Sequence, residues 1–145
     1  MEAYLDNAAT TRVSNAVMEK MNQVFLNDFG NPSSMHQKGM DAEQYIKEAK
    51  RQIADTLKCE PSELVFTSGG TEADNWALLG TAKRFGKRGK HIITTAVEHH
   101  AILNCTKELE AQGFDVTYLQ PDSLGRISPD ALKEALRKDT ILVSV

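Results

Sequence analysis

From residue 63 onward the chain alternates short apolar runs with longer stretches of helical periodicity. The runs are "ELVFT" at 63–67, "HIITT" at 91–95, "FDVTYL" at 114–119 and "TILVSV" at 140–145. Between them lie predicted helices over about 71–85 and 99–112, and one opened by Ser128-Pro129-Asp130 that runs to about Lys138. Strand and helix in strict alternation predict βαβ units and a parallel or mostly parallel sheet. Right-handed crossovers then place helices on its faces, a three-layer α/β/α arrangement. Ligands of such sheets sit at the carboxyl ends of the strands. The segments directly after strands therefore hold the candidate site.

Residues 1–62 read as an N-terminal helical segment with intervening loops, and 63–145 as the sheet-bearing part, one truncated domain overall. Ser14 is a candidate cap for a helix over 14–27, with Val17, Met21, Val24 and Phe25 on one face. "FGNPSS" at 29–34 is a loop by composition. The clearest helix spans 38–57, with Ala42, Ile46, Ala49, Ile53 and Leu57 as its apolar stripe and Glu43 and Lys47 as a favourable i,i+4 pair. The closing run "TILVSV" is an apolar strand with nothing after it, so a fragment of a larger sheet is expected. Its open edge would favour self-association.

With 145 residues, 41% hydrophobic and 26% charged, the composition is globular. A net charge of −3 shows no basic excess for nucleic acid or an anionic membrane. No apolar run is long enough to span a bilayer. Two cysteines, Cys59 and Cys105, are too few for a disulfide framework, and a reducing cytoplasm is the expectation.

The stretch "FTSGGTEADNWAL" at 66–78 is a strand-to-helix turn of small and hydroxylic residues. Gly69 and Gly70 keep side chains out of the way, and Thr71 with Asp74 three residues on marks a helix start. Backbone N–H groups and the Ser68 and Thr71 hydroxyls can converge on one anion, and phosphate fits. A plain tight connection is the competing reading. Neither GxGxxG nor GxxxxGK[ST] is present in the turn. After the next strand, Glu98, His99 and His100 open a helix. Neither histidine has i,i+3 or i,i+4 spacing to Cys105, which argues against a metal site. Two solvated histidines, or an imidazole offered to a ligand of the neighbouring turn, are the readings left.

Five ordered motifs carry a specific resemblance: "YLDNAATT" at 4–11, "GNPSSMH" at 30–36, "FTSGGTEADN" at 66–75, "HIITTAVEHHAIL" at 91–103 and "DTILVSV" at 139–145. Together they resemble the N-terminal part of a cysteine desulfurase, of the class V aminotransferase group with PLP-dependent fold type I. The resemblance implies a partial large domain of that fold and pyridoxal 5'-phosphate as cofactor. By position it implies that Gly70 and Thr71, with Ser68 beside them, hold the cofactor phosphate. It makes His99 the residue that stacks on the pyridine ring and moves protons. Asn7, Ala8 and Asn31 fall in segments that border the substrate pocket. The family often carries alanine or cysteine at the position of Gly70 and lysine at that of His100.

The resemblance also implies L-cysteine as substrate, a homodimeric parent, and a sulfur-acceptor or scaffold protein for iron–sulfur cluster or thionucleoside synthesis. The Schiff-base lysine, the pyridine-partner aspartate, the persulfide-forming cysteine and the substrate-carboxylate arginine are all expected past the position of Val145. The chain alone is therefore expected to be inactive and to bind the cofactor weakly at most. A selenocysteine lyase or another class V enzyme fits the same motifs. Outside enzymes, a phosphate- or nucleotide-binding module or an interaction module stays open.

Overall fold

The computed structural model describes residues 2–145. The chain forms two compact units, Met1–Val65 and Phe66–Val145.

The first unit holds α1 (Asn15–Leu26), α2 (Gln37–Leu57) and a 3-10 turn at Pro61–Glu63. Ser14 caps α1 by accepting from the Val17 N–H. The expected inward face of α1 is largely open to solvent: Val17, Met21 and Phe25 are exposed and Val24 is half-buried. In α2, Ala42 is buried and Ala49 half-buried, but Ile46, Ile53 and Leu57 are exposed. Ala54, outside the expected stripe, is buried as well. The chain folds back over it, and the Cys59 N–H donates to the Ala54 carbonyl at 3.1 Å. The Glu43–Lys47 pair forms at 2.8 Å. Tyr45 donates its hydroxyl to Asp28 at 2.6 Å, and the Lys20 ammonium lies over the Tyr45 ring, so polar contacts join α1 to α2. The loop before α2 packs on its first turn backbone to backbone. A Cβ on Gly39 would stand 2.2 Å from the Ser34 carbonyl oxygen, so only glycine fits there.

The second unit carries α3 (Gly70–Phe85), β1 (His91–Thr95), α4 (His100–Ala111), β2 (Asp115–Leu119), α5 (Pro129–Ala135) and β3 (Thr140–Val143). The sheet is parallel in the order β2-β1-β3. Every residue of β1, the central strand, is buried. Side chains alternate between the faces of a strand. Ile92 meets Leu78 and Ala82 of α3 and Ile102, Cys105 and Leu109 of α4, with Val116 and Leu142 from the flanking strands. Ile93 has Val143 as its ladder partner, and Val143 shares a concavity with Leu132 of α5. Helices thus lie on both faces, as right-handed crossovers require. Gly113 ends α4 at φ 84°, a conformation suited to glycine.

Two expectations need correction. The predicted strand at 63–67 is not in the sheet: Leu64 is extended (φ −94°, ψ 132°), but no strand among the described residues pairs with it. Val65 and Phe66 are exposed. Local pattern sets an extended backbone, whereas a strand also needs a neighbour. α5 stops at Ala135, short of Lys138, because Leu136 is extended and the Arg137 N–H turns to the Thr140 hydroxyl.

Candidate functional site

The turn at 67–72 is shaped by a carboxylate of its own helix. Gly69 is the N-cap of α3, with extended backbone and no capping side chain. The helix therefore begins at Gly70, and Thr71 sits inside the first turn instead of capping with Asp74. Glu72 reaches back: its Oε2 accepts from the Ser68 N–H at 2.7 Å and the Ser68 hydroxyl at 2.8 Å. The two bonds from Ser68, the backbone one foremost, hold the Glu72 carboxyl below its usual range. The Thr67 hydroxyl donates to the Gly69 carbonyl. The first backbone bond of α3 runs from the Ala73 N–H to the Gly69 carbonyl. The N–H groups of Gly70, Thr71 and Glu72 and the Thr71 hydroxyl have no intramolecular acceptor among the described residues. A Cβ on Gly69 or Gly70 would meet nothing within 4 Å, so the turn opens to free space. Unpaired N–H donors at the positive end of a helix make an anion cradle.

His99 is the N-cap of α4. Its Nδ1 accepts from the Ala101 N–H at 3.1 Å. A ring nitrogen that accepts carries no proton, so the cap selects the neutral tautomer with the proton on Nε2. His100 meets the His99 ring edge-on, with centroids 6.2 Å apart. Before them, the buried Thr95 hydroxyl donates to Glu98 at 2.9 Å and accepts from the Val97 N–H at 3.3 Å.

Both turns lie at one edge of the second unit. α4 starts just past the carboxyl end of β1. α3 leads through the short 86–90 connection into the amino end of β1, so its own start lies toward the opposite end. The helices advance together: Asp74 is close enough to Cys105 to oppose its ionisation, and Leu79 and Ala82 share a concavity with Leu109 and Gln112. Ser68, Gly70, Thr71 and His99 thus share the carboxyl edge of the sheet. All four are exposed, forming an open rim.

Asn7, Ala8 and Asn31 belong to the first unit. Asn7 lies in a turn where the Asp6 carbonyl accepts from the N–H groups of Ala9 and Thr10, and its side chain donates to the Tyr4 carbonyl. Asn31 organises its loop by accepting from Ser33 at its side chain and from Ser34 at its carbonyl. Cys105 lies in the core, where burial pushes its thiol pKa up, as suits a packing residue. Sequence reasoning missed the roles of Glu72, Thr95 and Glu98. The Thr95-x-x-Glu98 spacing was the available signal, being that of a hydroxyl–carboxylate capping pair.

The family model described as aminotransferase class-V matches residues 3–145. The chain is 49% identical over 142 residues to the cysteine desulfurase IscS of Methanosarcina thermophila, a match covering 98% of this chain and 35% of that protein. Among solved structures, a NifS-like protein superposes with a TM-score of 0.94 at 41% identity, covering 99% of this chain and 39% of the other. A structure described as SspA in complex with cysteine gives a TM-score of 0.88 at 43% identity, over 94% of this chain and 39% of that one. The chain spans little more than a third of the length of these relatives. On the match of nearly its whole length, the chain belongs to the class-V aminotransferase family.

Proposed function

We propose that the chain is the N-terminal part of a PLP-dependent cysteine desulfurase, which converts L-cysteine to L-alanine and leaves sulfur on the enzyme as a persulfide. The observation that carries this reading is the pairing, at one sheet edge, of an open N–H cradle at Gly70 and Thr71 with an imidazole fixed at the start of the next helix. The named relatives support the choice of reaction.

The residues present fit the cofactor. Its phosphate matches the unpaired N–H groups of Gly70 and Thr71 and the Thr71 hydroxyl, in a turn where no Cβ intrudes. Ser68 stands at the border of the cradle, with both donors on Glu72. When bound, the cofactor supplies an electron sink for the bonds at the substrate α-carbon. His99 would stack against the cofactor ring, and its Nε2 would be the atom that takes up and returns protons at the substrate. For Asn7, Ala8 and Asn31, which belong to the first unit, a substrate-binding role rests on the family resemblance alone. The same reading makes the whole protein a cytoplasmic homodimer that hands sulfur to an acceptor or scaffold protein.

Alanine release from L-cysteine, measured with the protein at the full length of its relatives, tests the proposal. Alanine with matching sulfide under reductant is the expected result. Release from L-selenocysteine alone would replace the reading with a selenocysteine lyase, and release from neither would remove it.

A further inference from the structure

Resting on the proposed role of His99, we infer that Thr95 and Glu98 are positioning residues that set the tautomer and direction of its ring. Thr95 is the last residue of the central strand and is 2% exposed. Its hydroxyl works in two directions at once, donating to Glu98 Oε1 at 2.9 Å and accepting from the Val97 N–H at 3.3 Å. The Ala96 N–H donates to the Leu119 carbonyl at the end of β2. Each of the three residues between the strand and His99 is thereby tied to the sheet. Directly beyond, the His99 carbonyl accepts from the N–H groups of Ile102 and Leu103. Ala101 and Ile102 are buried and anchor the helix start.

The consequence is chemical as well as mechanical. Glu98 precedes His99 in the chain and is the obvious carboxylate to pair with it. Its bond to Thr95 directs that carboxylate at the strand. His99 then takes the Ala101 N–H on Nδ1 and presents Nε2–H outward as a neutral imidazole. A histidine's tautomer is set by the bond its second nitrogen makes. Here the backbone makes that bond, and the Thr95–Glu98 clasp keeps the backbone in place to do so.

The test compares the full chain with Thr95→Val, Glu98→Ala and Glu98→Gln variants by nitrogen-15 NMR of the His99 ring, amide exchange at Ala101, and titration with pyridoxal 5'-phosphate. The expected native spectrum shows one dominant Nε2–H tautomer and a protected Ala101 amide. Thr95→Val and Glu98→Ala should give mixed tautomers and faster Ala101 exchange, at least threefold. Glu98→Gln keeps an acceptor for the Thr95 hydroxyl and should restore both signals. A purely structural role would lower the melting temperature in the first two variants and leave the tautomer unchanged, which overturns the inference. So does a Glu98→Gln variant that behaves like Glu98→Ala. If the tautomer responds as expected but, in the protein at the full length of its relatives, the cofactor perturbs neither His99 nor Gly70, the clasp stands and the desulfurase reading of the site fails.

Discussion

His91 shows how one buried residue couples the sheet to pH. It is wholly buried, and its ring bridges all three strands: Nδ1 lies 2.7 Å from the Thr140 hydroxyl and Nε2 2.9 Å from that of Thr117. Burial, then the charge of Arg137, pushes its pKa down, while Asp115 and Asp139 pull the other way. Arg137 itself holds both of those carboxylates. An unfolded histidine titrates near about 6.5, so as pH falls below that value the unfolded chain takes a proton that the folded chain resists. Stability contributed by neutral His91 is complete above about pH 6.5 and declines below it, by at most about 1.4 kcal/mol per pH unit. Urea unfolding between about pH 7.5 and 5 should show this decline in the native chain and a flatter profile in His91→Gln. Equal slopes in the two proteins would contradict the assignment.

At the scale of elements, the α3–α4 pair does most to place the site, because its shared direction brings both helix starts to one edge. Leu109 is 1% exposed and sits in the cluster that joins the pair to the sheet. Leu109→Ala should cost about 2–5 kcal/mol by removing buried methyl groups and leaving a cavity. Denaturant unfolding followed by the second unit's signals measures it, and a loss below about 1 kcal/mol would mean that the pair is not packed as described. The same pair shows what was legible beforehand. β1 was read residue for residue from "HIITT", and the helix starts near Gly70 and His100 were read to within a residue or so. Periodicity and capping chemistry are local, so they can be seen in the sequence. The extended run at 63–67 lacks a ladder because pairing depends on a partner elsewhere. The exposed face of α1 misled for a related reason, since periodicity announces an apolar face but not what covers it.

The three-stranded sheet has two edges, β2 and β3, and Val143 on β3 is exposed. Phe25, Phe29, Phe66 and Trp76 are each more than half exposed. Unpaired edges and apolar surface favour association. Light scattering should show a mass that rises with concentration, and a monomer at every concentration would contradict this. No helix among the described residues is long and apolar enough to cross a membrane. The candidate site was legible only in part. Gly70, Thr71 and His99 were marked by turn chemistry and resemblance, while the carboxylates that shape both turns emerged from hydrogen bonds that no spacing argument had weighed.

In the proposed function, the turn at Gly70–Thr71 and the ring of His99 form one cofactor site. Nitrogen-15 NMR during titration of the full chain with pyridoxal 5'-phosphate tests it most directly, with pyridoxal as the comparison. Weak, reversible binding is expected, in which the Gly70 and Thr71 amides and the His99 ring shift together along one isotherm, with the amide shifts lost for pyridoxal. Shifts confined to other residues, or two unrelated isotherms for the turn and the ring, would contradict it.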